Sequence, residues 1–191
     1  VLPNTSILGL WLVLLPLWVK YRICGTLFGY PRAPDAGNEV LADLVIARTL
    51  CFDRLISRVA GEVEQFVVLG AGYDTRAYGE LKETALAVFE VDQTETQVYK
   101  IASLHDAGID TSHVTFVQVD FRQDKLFEKL LASGYDPTKK TLFLWEGVTL
   151  YLSEDRVRRI LTEVRAHAAT GSAIVADVYG ERLVRMAKGR F

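Results

Sequence analysis

A chain of 191 residues, half of them hydrophobic and 24% charged, suits one folded domain of ordinary size with its own core. The formal net charge of −2 leaves no electrostatic case for nucleic acid. Cys24 and Cys51 stand apart in apolar company, which excludes a disulfide framework or a Cys-x-x-Cys zinc site and predicts reduced core thiols. His105, His113 and His167 show no ligand spacing, so no metal is expected.

The chain opens on Val1 and ends on Ala187-Lys188-Gly189-Arg190-Phe191, which reads as a processed or truncated chain. Residues 1–38 form the first segment, and Ile7 to Val19 within it are almost wholly apolar. That run is short for a span of roughly 20 residues, Pro16 would kink a helix there, and no basic residues precede it as in a signal peptide. A buried N-terminal helix pair is the expectation adopted. An interfacial anchor, favoured by Trp11 and Trp18, and a membrane stub are the alternatives.

Pro31 to Asn38 is a break, and residues 39–191 form the second segment. A helix is expected from Glu39 to Arg58, with Leu41, Leu44, Val45, Phe52, Leu55, Ile56 and Val59 on one face. Arg48 falls in the middle of that apolar stripe. Strands are expected at Gln65–Leu69, Leu86–Val91, Val114–Val119, Thr141–Trp145 and Ser172–Val178. Helices are expected at Thr94–His105, Lys125–Ala132 and Arg156–His167, with a shorter segment after Thr75; Ser153 is placed to cap the last helix. The four arginines Arg156, Arg158, Arg159 and Arg165 read as a solvated face. Strand and helix in alternation predict an α/β fold with a mostly parallel sheet flanked by helices.

Ligands of such sheets bind beyond the C-terminal strand ends, near the switch point. Here those ends carry Gly70-Ala71-Gly72-Tyr73-Asp74, then Glu90 and Asp92, Asp120, Glu146 and Asp177. A glycine turn after the first strand and an acid twenty residues after Gly72 suit a nucleotide-like cofactor whose ribose Asp92 would hold. Thr75 stands where a dinucleotide fold wants a third glycine, and Asp74 would repel a pyrophosphate. A methyl donor with an ammonium and a carboxylate tolerates that acid and benefits from Arg48 as a carboxylate partner. The bland readings are a tight turn at Gly70 and Gly72, an Asx turn at Asp74, a loop cap at Asp120, a strand-end residue at Asp177 and a buried ion pair of Arg48 with Asp74 or Glu146.

The blocks Ala47-Arg48-Thr49, Leu69 to Arg76, Phe89-Glu90-Val91-Asp92, Phe116 to Phe121 and Leu144 to Leu152 occur in this order. Over Val40 to Val178 they resemble the leucine carboxyl methyltransferase family, a branch of the class I S-adenosylmethionine-dependent methyltransferases. The resemblance implies a Rossmann-like fold, here lacking the last strands, with an N-terminal helical segment. It implies S-adenosylmethionine as cofactor, bound by Arg48, Gly70, Ala71, Gly72, Asp74, Glu90, Asp92, Asp120, Phe121 and Glu146. Arg48 would hold the carboxylate, Gly70 and Gly72 line the methionine part, Asp92 bind the ribose, and Asp120 with the Phe121 backbone meet the adenine. Glu146 would lie beside the methionine end and Tyr151 near the acceptor pocket; these two are the only candidates for a catalytic role, and none is assigned as a base. The expected reaction is O-methylation of a carboxylate or hydroxyl on a small molecule or protein terminus. The alternatives are a nicotinamide-dependent oxidoreductase and a non-catalytic membrane-associated relative. A cytoplasmic place, with membrane contact through Ile7–Val19 and oligomer formation as further options, completes the expectations.

Overall fold

The computed structural model describes residues 41–180. The expectations for the apolar N-terminal segment, Cys24 and the C-terminal residues lie outside that range. The chain divides into two compact units, Val1–Thr49 and Leu50–Phe191. Of the first, only a helical stretch is described, the start of α1 (Leu41–Val59).

The second unit is an α/β sandwich. Its strands are β1 (Gln65–Leu69), β2 (Ala87–Asp92), β3 (Val114–Gln118), β4 (Thr141–Trp145) and β5 (Ala173–Ala176). Its helices after α1 are α2 (Thr94–Asp106), α3 (Leu126–Ala132) and α4 (Glu154–His167). All strand pairs are parallel, in the order β3-β2-β1-β4-β5. The β1–β2 register runs from Gln65 opposite Ala87 to Leu69 opposite Val91. The β1–β4 ladder stops at Val68 opposite Leu144. Order therefore reverses between β1 and β4, the place beyond which ligand-binding α/β sheets hold their ligands.

β1 and β4 are buried at every residue, which explains why their apolar runs are continuous rather than alternating. On one face Val67, Leu69, Phe89, Val91, Phe143 and Trp145 pack against Leu126, Leu130, Ile160 and Val164 of α3 and α4. On the other, Phe66, Val68, Val88, Leu142 and Leu144 pack against Phe52 and Ile56 of α1 and against Ala77 and Leu81. At the base of the sheet the buried Gln65 amide donates to the Asp136 carbonyl (2.8 Å) and to Thr141 Oγ1 (3.0 Å), while its oxygen accepts the Asp136 N–H (2.9 Å).

Three local expectations are corrected. Cys51 is an exposed thiol, because it faces away from the side of α1 that carries Phe52 and Ile56. Ser153 occupies the N-cap position of α4, but its hydroxyl makes no capping bond; its carbonyl accepts from Val157 in the helix's own ladder. Arg159 is not wholly a solvated side chain, since its Nη2 donates to the Phe121 carbonyl at 2.6 Å. Among the described residues no helix is long and apolar enough to cross a membrane.

Candidate functional site

The loop after β1 is shaped by its glycines. Gly70 has φ +70°, and a side chain there would run into the isopropyl group of Val148 from the loop after β4. Gly72 has φ +44°, but a Cβ on it would meet only the Gly70 carbonyl at 3.9 Å. The first glycine thus serves close packing of two loops, and the second faces open space beside bare backbone. The N–H groups of Gly70 and Ala71 donate to the Val91 carbonyl at 2.7 and 3.0 Å, which ties the turn to the end of β2.

Asp92 completes that tie. Its Oδ2 accepts the Gly72 N–H at 2.6 Å and its Oδ1 the Gln93 N–H at 2.7 Å. Each carboxylate oxygen keeps a further lone pair, so Asp92 can still accept from a diol while it fixes the glycine loop. Gly70, Ala71, Gly72 and Asp92 are therefore one constellation.

Asp74 and Glu146 converge on a residue to which the sequence reading gave no role. Arg76 Nη1 contacts both the Asp74 carboxylate and Glu146 Oε2, the latter at 2.9 Å. Its Nε donates to Asp53 Oδ1 of α1 at 2.7 Å. Burial works against the Arg76 charge, but Asp74, Asp53 and Glu146 outweigh it and raise its pKa above the ordinary arginine value. Asp74 Oδ1 also accepts the Arg76 N–H at 2.8 Å, so the Asx turn is present and the acid bonds to the guanidinium as well. Within this unit both acids are contacted by Arg76. Arg48 is half-buried on the second turn of α1, in the N-terminal unit.

Glu90 is placed elsewhere. It is 0% exposed and paired at 2.7 Å with Lys100 of α2, itself 4% exposed. The Tyr78 ring lies 5.5 Å from the Lys100 ammonium, and His113 stands edge-on to Tyr78 with its Nε2 donating to the Ala77 carbonyl at 2.8 Å. Burial pushes the Glu90 carboxyl above its ordinary range, against the pull of Lys100 and Tyr78. The neighbouring Gln97 donates to the Glu90 and Val117 carbonyls at 3.0 and 2.9 Å. Glu90 is thus a strut between β2 and α2, within the same strand end as Asp92.

Asp120 forms the loop cap weighed above. It accepts the Arg122 N–H at 2.9 Å and a forked contact from the Arg122 side chain, whose hydrogen bonds hold the carboxyl below its ordinary range. It borders an open, polar cleft of about 280 Å³, lined by Gln93, Thr94, Arg122, Gln123 and Lys129 among others. Phe121 is buried against Trp145, with ring centroids 6.3 Å apart. Asp177 accepts the Gly147 N–H at 2.9 Å and the Tyr179 hydroxyl at 2.5 Å, so it shapes the loop that carries Val148. Tyr151, on the 3₁₀ turn Thr149–Tyr151, is 64% exposed at the same end of the sheet.

The segment after β1 is two short 3₁₀ turns, Arg76–Tyr78 and Glu80–Glu83, rather than an α-helix. A dinucleotide fold uses a helix N-terminus at this point to bind pyrophosphate, and none is present after β1.

A parallel sheet ordered 3-2-1-4-5, with a glycine loop after β1 and an acid ending β2, defines a Rossmann-like domain of the class I S-adenosylmethionine-dependent methyltransferase kind. The family model of leucine carboxyl methyltransferase matches residues 29–165, and the chain belongs to that family. A Frankia alni protein named "Putative S-adenosyl-L-methionine-dependent methyltransferase" is 38% identical over 148 residues, 74% of this chain and 51% of the relative. The Bacillus subtilis relative YktD, which carries the same description, is 36% identical over 128 residues, 66% of this chain and 41% of its own length. The chain spans about half the length of the relatives it matches. Among solved structures, a Methanococcus maripaludis protein described in the same words shares the fold with a TM-score of 0.50. It is 12% identical, covering 77% of this chain and 64% of the other.

Proposed function

We propose that this chain binds S-adenosylmethionine at the switch point between β1 and β4 and serves transfer of its methyl group to an oxygen acceptor, leaving S-adenosylhomocysteine. The observation that carries this reading is the coupling of Asp92 to Gly72: the acid that would take a ribose diol also holds the open glycine loop beside which a donor tail would pass. The family membership and the relatives' names support it. Bound there, S-adenosylmethionine supplies an activated methyl group on a sulfonium.

The residues divide the work. Asp92 accepts from the ribose hydroxyls. Gly72 leaves room for the methionine part, and Gly70 and Ala71 hold the turn that lines it. Asp74 and Glu146 give that end the negative field an ammonium needs. Asp120 and the Phe121 backbone border the adenine. Glu90 acts from behind, through the position of β2. Methyl transfer in line needs alignment and exclusion of water more than proton movement, and a carboxylate acceptor needs no base. Glu146, engaged by Arg76, suits binding better than proton abstraction. Tyr151 is exposed where an acceptor would approach. The acceptor proposed is a carboxylate or hydroxyl of a small molecule or protein terminus.

Titration calorimetry with S-adenosylhomocysteine tests the reading. Wild type should bind, Asp92→Asn should weaken binding about tenfold or more, a loss of ~1.4 kcal/mol or more, and NADH should give no heat. Binding of NADH, or an Asp92→Asn variant with unchanged affinity, would contradict it.

A further inference from the structure

The β1–β4 ladder ends at Val68 and Leu144, so beyond it no backbone pairing holds the two loops that flank the switch point. The loops pack on each other at Gly70 and Val148, and the Arg76 guanidinium bridges their acids. Arg76 Nη1 reaches Asp74 in the loop after β1 and Glu146 at the end of β4, while Nε is anchored by Asp53 on α1. The Arg76 side chain is 16% exposed, so these contacts are partly shielded from water. Both carboxylates it holds stand at the end of the site assigned above to the donor's amino-acid tail, away from Asp120 and the polar cleft.

We propose that Arg76 is a positioning residue of the donor site: its fork fixes the Asp74 and Glu146 carboxylates across the switch point and so sets the subsite for the amino-acid tail, leaving the adenosine subsite to Asp92 and Asp120. This rests on the donor reading. The guanidinium spreads its donors over two separated nitrogens, Nε for Asp53 and Nη1 for Asp74 and Glu146, a spacing that the single nitrogen of a lysine does not reproduce.

The test uses the full chain and two ligands that share the adenosine thioether. S-adenosylhomocysteine has the amino-acid tail, and 5′-methylthioadenosine lacks it. Calorimetry on wild type, Arg76→Lys, Arg76→Met and Asp53→Asn reads the ratio of the two affinities, with circular dichroism checking the fold. Both Arg76 variants should lose roughly tenfold or more for S-adenosylhomocysteine, the scale of a lost charge-assisted contact, and about twofold or less for 5′-methylthioadenosine. Asp53→Asn, which loosens the anchor alone, should shift the ratio the same way by a smaller factor, and it carries the test if the Arg76 variants do not fold. Equal losses for both ligands would make Arg76 a purely structural residue, and an unchanged ratio in the folded variants would equally overturn the proposal. A wild-type chain that binds neither ligand would instead remove the donor reading on which it stands.

Discussion

At the scale of single residues, Gly70 is held by two separate constraints, a left-handed backbone and the isopropyl group of Val148 where a side chain would go. Gly72 carries only the first, because the space before it is open. Gly70→Ala should therefore destabilise more than Gly72→Ala. The backbone penalty is roughly 1–3 kcal/mol in either variant, and overpacking against Val148 adds about as much again at Gly70. Thermal denaturation should order the melting points wild type, then Gly72→Ala, then Gly70→Ala. Adding Val148→Ala to Gly70→Ala should recover part of the loss; no recovery would show that contact with Val148 is not what Gly70 avoids. The two glycines were legible in the sequence, since a buried run ending in Gly-x-Gly allows little else. Their different reasons were not, because Val148 arrives from a loop far along the chain. Arg76 was hidden for the same reason: it sits in the loop motif in plain view, yet its partners Asp53 and Glu146 come from other elements. Arg48 drew attention because helical spacing alone shows a charge on an apolar stripe, whereas no periodicity marks a charge in a loop.

At the scale of elements, β2 and α2 are joined by the buried Glu90–Lys100 pair, whose Oε2–Nζ distance is 2.7 Å. Lys100→Met would leave a buried carboxylate unpaired, at a cost of about 3–5 kcal/mol, whereas Glu90→Gln with Lys100→Met should restore much of the loss. The pH dependence has a definite sign. The folded-state pKa of Glu90 is raised above the ordinary 4.5, so the native state holds this proton more tightly than the unfolded chain. The stability linked to Glu90 is then fully present below about 4.5 and lost as pH rises through the raised folded value. Urea denaturation across that window should show wild type losing ground to Glu90→Gln as pH rises; a difference independent of pH would contradict the raised value. The sequence marked Glu90 as a strand-end acid, and its row of neighbours at the other strand ends suggested cofactor binding. A strand's alternation cannot say which acid meets solvent, and Lys100 lies among the polar residues of α2 with nothing in its spacing to mark it as buried. By contrast, β1 and β4 were legible to the residue, because buried parallel strands demand unbroken apolar runs. The ends of β2, β3 and β5 shifted by one or two residues: Leu86, Val119 and Val178 are apolar but lie past the ladder, and Asp92 is polar but lies within it.

At the scale of the whole molecule, strand order decides where chemistry can occur. Order reverses between β1 and β4, and Gly70, Gly72, Asp74, Asp92 and Glu146 all stand in the loops or at the strand ends beside that reversal. The alternation of strands and helices made the parallel sheet readable, and five ordered sequence blocks made the family readable. The 3₁₀ turns after β1 were only partly so, as a shorter segment after Thr75. Their absence of a helical N-terminus is what separates this site from a pyrophosphate site. The most direct measurement is a crystal structure of the chain with S-adenosylhomocysteine. Density should place the ribose hydroxyls within hydrogen-bond reach of Asp92 and the amino-acid tail over Gly70 to Gly72, near Asp74 and Glu146. Ligand density away from Asp92, or a ribose that contacts neither Asp92 nor the glycine loop, would contradict the assignment.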